Sequence, residues 1–296
     1  MLQKHPVYWF SDADTIIHPK TNENEHDVLF KIHPSRLTAY SPTIMSRLEP
    51  RPTGDYPKQA DLEPEFSSCK YVVLDGDLVV DGKDLVVLLD HIYGNHTLSS
   101  TENDFQRIAS LIRISSSDQL DFPELHEQAK TCFVSLLPKD AHQVAVFQCD
   151  YAQEATALAI QHNIPNAIKP LLYHLVAHSG LDSFPTHIPK EFAKKVTSRG
   201  NTLMENLATY FTPVIFTPPP TSHMACTDVI ADRWMQFVIT PVLADSGLCH
   251  PIESLEMLKS VDWVKEGICE DCVKDKRDEW TEEQNTVWNK MDDWLS

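Results

Sequence analysis

Strand patterning is confined to the first quarter of this chain, and that confinement limits its fold more than any other feature. Thr15-Ile16-Ile17-His18 and Val28-Leu29-Phe30-Lys31-Ile32 predict two short strands around a polar loop at 19–27, and Tyr71-Val72-Val73-Leu74 predicts a third. Val28, Phe30 and Ile32 alternate onto one face, so the first two strands form a hairpin. Helical spacing then takes over. Leu85, Leu88, Leu89 and Ile92 follow Asp81 as an N-cap, and Phe105, Ile108 and Ile112 follow a capping signal at 101–104. Leu125, Ala129, Cys132, Phe133 and Leu136 line a further helix. From Gln143 onward no strand pattern appears: Ala152, Ala155 and Ala159 line one helix, and Ile168, Leu171, Leu172 and Leu175 line the next, entered through Pro165. The class this dictates is α+β: a small N-terminal sheet with surrounding helices, then an α-helical region and a cysteine-containing C-terminal helical module.

Prolines punctuate this order. Pro34 opens a helix carrying Leu37, Tyr40 and Ile44, and Ser41-Pro42 repeats the start signal, so a second helix is expected from Pro42. Pro50, Pro52, Pro57 and Pro64 make 49–68 an irregular surface insertion. A break is expected over 213–220, where Pro218-Pro219-Pro220 holds an extended conformation. The expected divisions are 1–140, a helical extension at 141–215, a linker at 216–222 and a tail module at 223–296. A last helix at about 275–295 places Trp280, Val287, Met291 and Trp294 near one face, read as packing.

Charge and cysteine use exclude several classes. Twenty-five Lys and Arg against 43 Asp and Glu give a net charge of −18 with no compensating basic patch, so nucleic acid is not an expected partner. No apolar run approaches the roughly 18 residues that span a bilayer, and residues 1–10 lack the apolar core of a secretion signal, so no membrane partner is expected. Seven cysteines, an odd and sparse set, suit a reduced chain of the cytosol or nucleus.

Catalytic patterns are missing. The eight glycines stand too far apart for a phosphate-cradling loop. There is no GxSxG elbow, and the residue four positions after His126 is Lys130, so a metalloprotease helix fails; His126 reads as a solvated helix residue. Cys249-His250 are adjacent, which does not position a thiolate and its base, and Glu270-Asp271 and Glu282-Glu283 read as solvated faces. The chain is expected not to be an enzyme.

One constellation has ligand spacing. Cys269-Glu270-Asp271-Cys272 is a CxxC, and His223-Met224-Ala225-Cys226 is an HxxC about forty residues earlier. Thiolate and imidazole donors from the two can hold a structural zinc ion tetrahedrally, with Cys249 as an alternative fourth ligand. The competing reading is reduced, packed cysteines with no cofactor. A thioredoxin-like redox use would need the CxxC at the start of a helix after a strand, whereas here it follows a helical pattern at 255–264.

Asp14-Thr15-Ile16-Ile17, then Leu29-Phe30-Lys31-Ile32-His33-Pro34-Ser35-Arg36-Leu37, then Tyr40-Ser41-Pro42, resemble the strand and F-x-(V/A)-H-x-x-x-L-x-x-x-S-P segments of the BTB/POZ domain. The whole chain is similar to the expanded BTB family of mushroom-forming fungi (basidiomycetes), in which a helical region and a cysteine-containing tail follow the domain. The resemblance implies a protein-interaction domain, often a homodimer, with Asp14, Phe30, His33, Leu37, Tyr40 and Ser41 as its structural or interface residues. His33 reads as a buried structural group, and Leu37, Tyr40 and Ile44 as core before dimer face. A cullin scaffold is a partner the resemblance raises, although Leu62-Glu63-Pro64-Glu65 is a poor match to the hydrophobic-x-Glu contact of cullin-binding relatives.

The function expected is therefore a self-associating adaptor or scaffold for protein partners, with a ubiquitin-ligase substrate receptor as one form of it. The alternative is a transcription-associated regulator without direct DNA contact, and a metal-dependent enzyme ranks third.

Overall fold

Thr15–Pro19 is buried at every position and Val28–Ile32 at four of five, so the sheet they form is covered on both faces. The computed structural model describes residues 2–19, 28–49, 63–74, 80–98, 104–179, 181, 184 and 188–296. It divides into two compact units, Met1–Leu136 and Leu137–Ser296.

The first unit is built on four strands, β1 (Gln3–Trp9), β2 (Thr15–Pro19), β3 (Val28–Ile32) and β4 (Lys70–Leu74), in the order β1-β3-β2-β4. β2 and β3 pair antiparallel with Ile17 opposite Phe30, while β2 and β4 pair parallel and so do β1 and β3. β1 has no counterpart in the sequence reading. Only Tyr8 of its seven residues is buried, so no alternation marks it. Tyr8 is anchored by its hydroxyl, which donates to Asp90 and accepts from Asn95 at 3.0 Å.

Three short helices, α1 (Pro34–Thr38), α2 (Ile44–Arg47) and α3 (Glu63–Ser68), stand between β3 and β4. The proline break between α1 and α2 is present, but the second helix starts at Ile44, two residues later than expected, with Thr43 as N-cap. The expected irregular insertion includes α3, whose Phe66 is buried edge-on against Tyr71 at 5.0 Å; positions 50–62 lie outside the described residues. α4 (Gly82–Ile92) is capped by Asp81, which accepts from the Lys83 amide at 2.7 Å, and α5 (Phe105–Ser115) by Asp104. Arg113 on α5 donates to both carboxylate oxygens of the buried Asp84 on α4, at 2.8 and 2.7 Å. α6 (Pro123–Ser135) closes the unit. Its His126 is half-buried against Ser115 Oγ at 3.1 Å rather than solvated, and burial pushes its pKa down.

The second unit is helical throughout its described residues: α7 (Ala141–Val144), α8 (Ala152–Gln161), α9 (Pro165–His174), a π-helical turn at Leu175–Ser179, α10 (Lys190–Phe216), α11 (Met224–Trp234), a second π-helical turn at Met235–Ile239, α12 (Thr240–Ala244), α13 (Pro251–Ser260) and α14 (Glu270–Leu295). α10 runs through Pro213, so the break begins at Thr217 and not at 213. Pro213 and Thr209 are both on the solvent side, so the carbonyl that loses its helical donor faces water. α14 starts at Glu270, five residues before its expected start, and buries Trp280, Trp288, Val287 and Met291 while Trp294 is only half-buried. Residues on both sides of the Pro-rich 216–222 segment share one core, in which Phe211 and Ile215 meet Trp234, Trp263 and Trp280. No helix among the described residues is long and apolar enough to cross a membrane.

Candidate metal centre

Two helix starts converge at the edge of this tryptophan core. His223 is the N-cap of α11, with extended backbone at φ −112° and ψ 125°, and Cys226 follows in the first turn. Cys269 is the N-cap of α14, at φ −67° and ψ 151°, and Cys272 follows three residues later. Each motif therefore uses the same device: one ligand on the capping residue and one three residues on, which the first helical turn brings to the same side. Gly267, at φ 107°, turns the chain into the second motif. Neither capping side chain makes a capping hydrogen bond to a backbone amide of its helix.

The four donor atoms all lie within 4.8 Å of one another. Cys226 Sγ is 3.7 Å from Cys269 Sγ, and His223 Nδ1 is 3.2 Å from Cys269 Sγ and 3.5 Å from Cys272 Sγ. A tetrahedral ion with Zn–S bonds of about 2.3 Å and a Zn–N bond of about 2.0 Å sets donor separations of about 3.4–3.8 Å, so the group can hold a metal ion with little movement. Cys226 and Cys272 are buried within the core cluster, whereas His223 is exposed. Cys249, half-buried ahead of α13, does not belong to the grouping, so the alternative ligand is set aside by position.

Electrostatics at this point favour anions. The Cys272 thiol is pulled down to about 6, first by the Ser222 side chain, whose Oγ is 3.5 Å from Sγ, then by Cys269, the His223 backbone and Thr221. Cys269 moves the other way. The Cys272 backbone acts to lower its pKa, but hydrogen bonding to the Cys272 thiol, burial and the neighbouring Cys226 outweigh that contact and raise it. Two helix N-termini meeting head to head add positive potential, which thiolates answer. The CxxC stands at a helix start, and the element before it is α13 and not a strand, as the helical pattern at 255–264 predicts.

The residues singled out in the first unit do not form a reactive group. Phe30, Leu37 and Ser41 are buried, and Ser41 Oγ points to the Leu120 carbonyl at 3.5 Å. His33 is half-buried rather than buried: its backbone N–H and Nδ1 meet the Tyr93 hydroxyl at 3.1 and 3.0 Å, and Nε2 is 3.3 Å from Asp12. Asp14 is exposed and its carbonyl accepts from Lys70, while Tyr40 is 44% exposed and so departs from the core assignment that Leu37 and Ile44 keep.

Sequence reading missed a second polar cluster in the Leu137–Ser296 unit. The π-helical turn sets His178 beside His174, with ring centroids 5.0 Å apart, and puts His178 Nε2 at 3.4 Å from Glu253 Oε1. Tyr173 donates its hydroxyl to Glu253 Oε2 at 2.5 Å and accepts from the Ile252 amide at 3.2 Å. No short motif encodes it, because its members come from 173–178 and 250–253 and meet only through helix packing. No family model matches this chain, and neither does any curated protein or solved structure. The BTB/POZ resemblance therefore rests on the sequence motifs alone.

Proposed function

We propose that this chain is a non-catalytic protein-interaction adaptor of the BTB/POZ type. Its first unit self-associates, and its second is a helical module closed by a structural zinc ion. The observation that carries the reading is the donor set at the joined starts of α11 and α14: three cysteines and one histidine supply all four positions of a tetrahedral ion. A closed site of that kind leaves no position for a substrate and suits a structural role. Zinc with three thiolates and a neutral imidazole keeps a single net negative charge, matched to the two helix N-termini around it. All seven cysteines are free thiols, as a reducing compartment requires for such ligands.

For self-association the support is surface chemistry. β1 stands at the end of the sheet order, with Val7 58% exposed, and Tyr40 and Met45 add exposed apolar area. The net charge of −18 favours protein partners over nucleic acid. Two measurements on the full chain test the reading. Metal analysis should give one zinc per chain, lost in Cys272→Ser together with a fall in melting temperature of more than about 5 °C. Light scattering at micromolar concentration should give twice the 33.6 kDa chain mass. Zinc-free protein whose melting is unchanged by Cys272→Ser ends the metal reading, and a strictly monomeric chain ends the self-association reading.

A further inference from the structure

Two sulfurs of the cysteine centre are placed for a reaction that metal binding does not use. Cys226 Sγ and Cys269 Sγ are 3.7 Å apart, in van der Waals contact, and both thiols are free. Joining them means closing that gap to an S–S bond of about 2.05 Å. Cys269 is the N-cap of α14, with extended backbone and no side-chain capping bond, so the closing rotation breaks no cap. The two sulfurs also differ in access. Cys226 is 6% exposed and Cys272 is fully buried, whereas Cys269 is half-buried and its chain neighbours Glu270 and Asp271 are exposed. An oxidant from solvent therefore meets Cys269 first, and Cys226 stands behind it as the resolving thiol.

Cys272 is the poorer resolving partner, because its Sγ is engaged by Ser222 Oγ and His223 Nδ1, each at 3.5 Å. Charge selects the oxidant. The carboxylates of Glu270 and Asp271 beside Cys269, and the net charge of −18, repel an anionic disulfide such as oxidised glutathione. A small neutral peroxide meets no such barrier.

We propose that Cys226 and Cys269 form a peroxide-sensitive pair whose oxidation releases the ion from the centre, an inference that rests on the zinc reading above. In the first step the Cys269 sulfur attacks one peroxide oxygen; the O–O bond breaks, leaving a sulfenic acid and a hydroxide that takes a proton from solvent to become water. In the second, the Cys226 sulfur attacks the Cys269 sulfur. The S–S bond forms, the S–O bond breaks, and the leaving hydroxide takes a proton as a second water. The two sulfurs together lose two electrons, and one peroxide gains them. Only His223 and Cys272 then remain as donors, too few for a tetrahedral ion, while the new bond keeps the starts of α11 and α14 joined.

The full zinc-loaded chain, titrated with hydrogen peroxide, is read with a chromogenic zinc chelator and by peptide mapping without reductant. One zinc should be released for each Cys226–Cys269 disulfide found, and a phosphine reductant with added zinc should restore the starting state. Cys249→Ser, outside the centre, should respond as the unsubstituted chain does. The cross-linked, metal-free chain should melt above the reduced chain stripped by chelator, because the bond joins positions 43 apart. The proposal is overturned by zinc retained at about tenfold molar excess of peroxide, by release without a disulfide, or by a disulfide between any other pair. A chain that neither carries nor takes up zinc ends the zinc reading and the release with it, whereas a zinc-bearing chain inert to peroxide ends the switch alone.

Discussion

Gly267 holds φ at 107°, where a side chain is strained, and a Cβ there would meet no neighbouring atom within 4 Å. Gly267→Ala is therefore a test of backbone strain alone. It should lower stability by about 1–2 kcal/mol in denaturant melts and weaken zinc retention against a chelator, because the turn it sets delivers Cys269 to the centre. Residue identity at this centre was legible: the CxxC and HxxC spacings name His223, Cys226, Cys269 and Cys272, and the structure brings those four together. Their placement was not. A helix start is read from Ser, Thr, Asp or Asn at the cap, and here the caps are His223 and Cys269, whose side chains make no capping bond. Glu270 and Asp271 carried the missing signal, since acids in a first turn answer the helix dipole, but they also fit a solvated face.

At the scale of elements, the π-helical turn Leu175–Ser179 is the device that sets His178 against α13. The Glu253 carboxylate, with a smaller contribution from Asp245, raises the His178 pKa above its ordinary 6.5, although burial opposes it. Its neighbour His174 is shifted the other way, first by burial and then by His178 itself. A raised folded-state pKa stabilises fully below the unfolded value and loses that contribution as pH rises through the folded value. The melting temperature of the native chain should thus exceed that of His178→Gln most below about pH 6.5, and the gap should close above it. Exposure of the His178 side chain, at 42%, keeps the effect small, and a gap that widens with pH would contradict the assignment. Such turns leave no mark in apolar spacing, and neither did β1, whose one buried residue cannot alternate with anything. The hairpin β2–β3 and the capped α4 were legible because alternation and the Asp81 cap act locally. Pro213 misled for the opposite reason: a strong local breaker is overridden where the freed carbonyl can reach water.

For the whole molecule, the division after Leu136 gives metal removal a defined reach. Hydrogen exchange of the full chain under a zinc chelator should speed strongly in the first turns of α11 and α14 and around Trp234 and Trp263, and leave β2, β3 and β4 unchanged. Uniform acceleration in both units would show that the metal is not a local fastener. The head-to-head meeting of the two helix starts carries a consequence for biogenesis. Cys269 lies forty-three positions after Cys226, so a chain leaving the ribosome has α12 and α13 already synthesised before the second pair of ligands arrives. On the proposed reading, capture of an ion by those four ligands is what latches the two helix starts, so the tail would be a hasp that closes only where the cell supplies its pin.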